Sequence, residues 1–219
     1  MEIKLNLTSE QESNLLGQLT NRPTLDYLTL EGLRNLACNE YYQYLDGHAG
    51  CLYIAKSIRD KKLSIGKMDS AFIRNALTNN IASTLCNINA RMILSNWYIQ
   101  KSSYTPKGFV DSYVFCLQNG GVMDGTLTDG NQNTYKAMLG NLPIRIKQVT
   151  SYEVLPEGIP IRVWLSGNGG THATILFKIG IYHHVIDTAS IERNKLSLTT
   201  EDLKKGLFGK SIVHYEWLE

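Results

Sequence analysis

Gly169-Gly170-Thr171-His172-Ala173-Thr174-Ile175-Leu176-Phe177, followed shortly by His183-His184-Val185-Ile186-Asp187-Thr188, is the stretch on which the reading of this chain turns. Its β-branched and aromatic runs are separated by Gly180, so they read as neighbouring strands over residues 173–179 and 183–186. A histidine opens one strand and an aspartate closes the next. That order suits a carboxylate holding an imidazole base, and such a base calls for a nucleophile from elsewhere in the chain.

Further strands are expected on both sides, at 144–149, 159–165 and 211–217, with a last surface helix over 201–207 stopped by Gly209. Upstream the period changes. Thr8-Ser9-Glu10-Gln11 has the form of a capping box opening a helix to about residue 18, ended by Asn21-Arg22-Pro23. Leu28, Leu30, Leu33, Leu36 and Ala37 make one apolar stripe of a helix over 26–45. Helices are also expected over 51–61, from Asp69 or Ser70 to 78, over 83–100, and over 134–139. Residues 109–116 read as an extended apolar segment and 119–133 as a glycine-rich loop. Helices first and a mostly antiparallel β-sheet afterwards define an α+β fold class.

Composition excludes several functions. Of 219 residues, 22 are Lys or Arg and 20 Asp or Glu, and a net charge of +2 gives no reason to expect nucleic acid as a partner. No apolar run approaches the roughly 20 residues of a membrane span, and Met1-Glu2-Ile3-Lys4 lacks a secretory signal, so a cytoplasmic product is expected. The four cysteines are scattered, form no CxxC pair and have no histidine at zinc-ligand spacing, so they are read as reduced thiols without a metal. Asn119-Gly120-Gly121 and Asn168-Gly169-Gly170 do not join a strand to a helix as a phosphate-binding loop does. No cofactor is expected.

A cysteine works as a nucleophile in its thiolate form, which a helix N-terminus and a nearby imidazole favour. Two of the four start a helix: Cys86, and Cys51 after Gly47-His48-Ala49-Gly50. Cys116 reads as a core residue and Cys38 as a mid-helix structural one. Among the histidines, His183 and His184 point to opposite sheet faces, and His214 reads as a surface residue. Trp97, Trp164 and Trp217 are expected to fill the core.

The run Cys86-Asn87-Ile88-Asn89-Ala90-Arg91-Met92-Ile93-Leu94-Ser95-Asn96-Trp97-Tyr98 resembles the cysteine helix of papain-like peptidases, particularly the leader peptidases of bacteriocin exporters and the effector proteases of plant-pathogenic bacteria. The resemblance continues in family order through Thr134 to Leu139, Glu157-Gly158-Ile159-Pro160-Ile161-Arg162-Val163, Gly170-Thr171-His172-Ala173 and Val185-Ile186-Asp187-Thr188. It implies a papain-like core over 66–219, preceded by a helical extension or subdomain, 1–65, for recognition, regulation or partner binding. It further implies Cys86 as nucleophile, His172 as general base and acid, Asp187 as the carboxylate that fixes the ring, and Asn80 at the place of the family's oxyanion-stabilising glutamine. The expected activity is cleavage of a peptide or isopeptide bond in a protein or peptide substrate, by a bacterial effector or toxin that is exported without a cleaved signal. The alternatives are deamidation, acyl transfer or peptidoglycan amide cleavage by the same triad, Cys51 in place of Cys86, and a catalytically inactive binding module. Asn80, Asn87-Ile88-Asn89 and Thr171 depart from the family pattern.

Overall fold

The computed structural model describes residues 8–21, 26–38, 60, 85–104, 135, 136 and 138–219. The expected helices over 51–61 and 69–78, the extended segment 109–116 and the loop 119–133 lie outside the described residues, apart from Asp60.

Among the described residues, helices α1 (Ser9–Asn21), α2 (Leu30–Ala37) and α3 (Leu85–Lys101) come first. Strands β1 (Ile146–Val149), β2 (Pro160–Gly167), β3 (Gly170–Ile179) and β4 (Tyr182–Ile186) follow. A 3₁₀ turn (Arg193–Lys195), β5 (Ser197–Thr199), α4 (Thr200–Lys204) and β6 (Ser211–Leu218) complete the order of the described elements. The strands make one sheet in the order β1-β6-β2-β3-β4-β5, every neighbouring pair antiparallel. The architecture is α+β. Among the described residues no helix is long and apolar enough to cross a membrane.

Alternation along the strands explains how the sheet is covered on both sides. Ile161, Val163 and Leu165 of β2 join Leu176, Val185, Tyr215 and Trp217 on one face, where Leu155, Leu203 and Leu207 close the apolar core. Arg162 and Glu216, directly opposite one another on β2 and β6, belong to the other face and meet α3. Because both faces are covered, β3 is buried continuously from Ala173 to Phe177, which is why its sequence is an apolar run without strict alternation. Trp97 and Trp217 are core residues as expected, whereas Trp164 is half-buried beneath the Arg162 guanidinium.

Several boundaries differ from the sequence reading, each for a local reason. The α2 helix starts at Leu30 because Asp26 accepts hydrogen bonds from the Leu28 N–H and the Thr29 hydroxyl, holding a turn, and Thr29 then caps the helix by accepting from Gly32 N–H. It ends at Ala37, so Cys38 is an exposed C-cap and not a mid-helix residue. The α4 helix is capped by a Thr199–Asp202 box and stops at Lys204, well before Gly209. Its stop is Gly206, whose φ of +87° suits glycine and where a Cβ would meet the Lys210 carbonyl oxygen at 2.2 Å. Both β5 and the 3₁₀ turn are absent from the sequence reading, being three residues each.

Residues 26–38 lie against the later elements. Tyr27 N–H donates to Gln100 Oε1 at 2.7 Å, Asn96 Nδ2 donates to the Tyr27 hydroxyl, and Arg34 contacts His184 and Ser197.

Candidate active site

The α3 helix, β3 and the segment after β4 converge on one point. Cys86 sits in the first turn of α3, 6% exposed, where the unpaired N–H groups and partial positive charge of a helix start favour an anion. His172, 12% exposed, enters from β3, and Asp187, 1% exposed, from the residue after β4. The His172 Nε2–H donates to Asp187 Oδ2 at 2.9 Å. With Nε2 committed, Nδ1 is the ring nitrogen left for proton exchange with the thiol. The imidazole interacts with both partners: burial opposes its charged form, but hydrogen bonds to Asp187 and Cys86 and the charges of both outweigh burial and raise the ring to about 10.

Asp187 is itself built into a frame. Its N–H donates to Asn194 Oδ1 at 2.6 Å, and Asn194 Nδ2 returns a hydrogen bond to its carbonyl at 2.7 Å, so one buried carboxamide fixes the backbone that aims the carboxylate. Oδ1 accepts from Ala189 N–H at 2.8 Å. Burial works against the ionised carboxylate, yet the His172 hydrogen bond and charge, Ala189 and Arg193 hold it below the usual carboxylate range. The pair is poised as imidazolium and carboxylate.

Behind this site lies a second buried polar cluster. Arg91 Nε and Arg162 Nη1 face the two oxygens of Glu216 at 3.4 and 3.5 Å, and Tyr135 donates its hydroxyl to Glu216 Oε1. Arg162 Nε donates to Asn87 Oδ1 at 2.8 Å, and Arg162 Nη1 lies 3.2 Å from His214 Nε2. Two departures from the papain-like pattern thereby acquire a structural role. Asn87 anchors the first turn of α3 to β2, and Asn89 donates to the Thr188 hydroxyl at 3.4 Å, next to Asp187. Both are fully buried.

Of the residues singled out in the sequence, Cys86, His172 and Asp187 come together. Asn80, Cys51, His48 and Cys116 lie outside the described residues. His183 is buried and His184 half-exposed, as alternation requires, and His184 accepts neighbours Ser197 and Arg34 away from Cys86. His214 is half-buried against Arg162, which corrects its assignment to the surface. Arg193, Asn194 and Phe208 form part of the site but carry no periodic or spacing signal; the one hint is Asn194 following closely on Asp187 in a polar segment. No protein-family model, curated protein or solved structure matches this chain.

Proposed function

We propose that this chain is a papain-like thiol hydrolase that cleaves a peptide or isopeptide bond in a protein or peptide substrate. The observation that carries the reading is the imidazole of His172 set between the Asp187 carboxylate and the Cys86 thiol of a helix start.

In the proposed reaction the Nδ1 proton of the His172 imidazolium is the one given up by Cys86, and the resulting thiolate attacks the amide carbonyl carbon. The carbonyl π electrons move to oxygen, where the Cys86 N–H in the first turn of α3 is one donor to the oxyanion, and Asn80 is assigned the second. As the oxyanion collapses, the C–N bond breaks and the imidazolium gives its proton to the departing nitrogen, leaving a thioester on Cys86. His172 then takes a proton from water, the hydroxide equivalent attacks the thioester, and the thiolate and imidazolium are regenerated with release of the acid. Asp187 keeps the ring in the tautomer and orientation that serve both half-reactions. Replacing water by another nucleophile at the thioester gives acyl transfer with the same residues, and a side-chain amide as substrate gives deamidation.

Incubation with an iodoacetamide probe at neutral pH, followed by mass spectrometry, tests this. Cys86 should be labelled far faster than Cys38 or a free peptide thiol, and His172→Ala should abolish the difference. Labelling of Cys86 no faster than a free thiol would favour the alternative of a non-catalytic binding module.

A further inference from the structure

Arg193 and Phe208 both contact the His172–Asp187 pair. Asp187 Oδ2, the oxygen that accepts from His172, also faces Arg193 Nη1 at 3.4 Å. The Arg193 guanidinium lies 4.2 Å from the centre of the Phe208 ring. The same ring stands edge-on to His172, with centroids 6.0 Å apart and planes at 61°. One aromatic side chain thus touches both cations that compete for a single carboxylate oxygen.

The backbone beneath Phe208 makes this placement unusual. Leu207 N–H donates to the Lys210 carbonyl at 2.9 Å and Lys210 N–H to the Leu207 carbonyl at 2.8 Å, closing a two-residue loop. Its central residues, Phe208 and Gly209, have φ of +53° and +70°. Such a loop favours asparagine or glycine at both positions, and a phenylalanine at positive φ persists only where its surroundings hold it. Here the surroundings are Arg193, His172 and the apolar core against which the ring packs. Lys210 ties the loop in place by donating its ammonium to the carbonyls of Asn168 and Gly170, in the turn leading to His172.

We propose that Arg193, seated on Phe208, is a positioning residue that shares the Asp187 carboxylate with His172 and thereby makes the ring a more willing proton donor to the leaving group. The inference rests on the assignment of Cys86 and His172 as nucleophile and base. The charged groups facing the ring are the Cys86 thiol from α3, Asp187 from beyond β4 and Arg193 from the 3₁₀ turn, while the nearby Lys210 ammonium is occupied by backbone carbonyls. Asp187 favours the imidazolium, and a guanidinium on the same oxygen offsets part of that attraction. Without Arg193 the ring holds its proton more tightly and gives it up less readily.

The test is the pH dependence of Cys86 alkylation by iodoacetamide in the full chain, compared with Arg193→Gln, Arg193→Lys, Phe208→Asn and His172→Ala, with folding checked by circular dichroism. The alkaline limb, which reports loss of the imidazolium, should move up by about half a unit to one unit in Arg193→Gln and by less in Arg193→Lys. Phe208→Asn should stay folded, because a backbone suited to asparagine offsets part of the apolar packing lost with the ring, and still move the limb upward as the guanidinium loses its seat. An unmoved limb in Arg193→Gln, with Cys86 still reactive in a His172-dependent way, overturns the role of Arg193 and leaves the hydrolase assignment standing. A shifted limb in Arg193→Gln but not in Phe208→Asn removes Phe208 from the proposal. Wild-type reactivity equal to a free thiol and unchanged by His172→Ala overturns both assignments.

Discussion

The first turn of α3 carries Cys86 into one polar cluster, and the next turn carries Arg91 into another. Both clusters are built from the same kinds of groups, carboxylates facing cations, but they differ in solvent access. Arg91, Arg162 and Glu216 are 1, 2 and 0% exposed, and the carboxylate there is enclosed by two guanidiniums and a phenol. In the other cluster His172 and Arg193 are 12 and 37% exposed, and the imidazole retains a ring nitrogen not committed to Asp187. The lesson is that a buried ion cluster is a framework where each charge is met and sealed, and is suited to proton exchange where one proton-carrying group is left accessible.

Substitution at the two centres should therefore fail in different ways. If the proposed hydrolase reading holds, the largest effect is expected at the Cys86–His172–Asp187 cluster: Cys86→Ala should eliminate the fast labelling and any hydrolysis, and His172→Ala should cut the rate by about 10³-fold or more, with both variants still folded. Retention of hydrolysis in Cys86→Ala would dissolve the contrast between the clusters. Glu216→Ala should act instead on the fold, lowering unfolding free energy by about 3–5 kcal/mol in urea titrations because two buried guanidiniums lose their carboxylate. A loss below 1 kcal/mol would show that the framework is not sealed as described.

The two clusters should also part company with pH. The His172 ring, raised from 6.5 to about 10, binds its proton more tightly in the folded chain, so its stabilisation is whole below pH 6.5 and is lost as pH rises to about 10. Asp187, held below its ordinary 3.8, contributes above that value and loses its contribution as pH falls through its folded pKa. Unfolding midpoints measured across pH 6.5 to 10 should decline in wild type and flatten in His172→Ala; parallel slopes would refute the linkage. The smallest effect is expected for Tyr135→Phe, which removes one hydroxyl donor to Glu216 and should cost about 1.5–3 kcal/mol without moving the pH slope.

The sheet half of this fold was legible because its signals are local. Five of the six strands among the described residues lie on runs rich in β-branched and aromatic residues, and Gly180 at positive φ joins two of them. The three-residue β5 and the 3₁₀ turn are too short to generate a period, and Asn194 and Arg193 were hidden with them. Cys86, His172 and Asp187 were legible through element ends: a helix start, a strand start and a strand exit. The Arg91–Glu216–Arg162 framework was not, because an arginine in a helix and a glutamate in a strand look like surface residues until long-range pairing places them face to face. Phe208 was unreadable for another reason: its backbone conformation contradicts its residue type, and only tertiary contact accounts for it.

The position of β6 has a consequence for assembly during translation. Although Ser211–Leu218 follows the other strands in chain order, it lies inside the sheet between β1 and β2 and delivers Glu216. A nascent polypeptide that has not yet reached Ser211 presents β2 as a bare edge and lacks the counterion that two interior arginines require. The thiol-bearing helix therefore gains its final seat only when synthesis has passed Glu216, which delays assembly of the Cys86–His172–Asp187 cluster until β6 is in place.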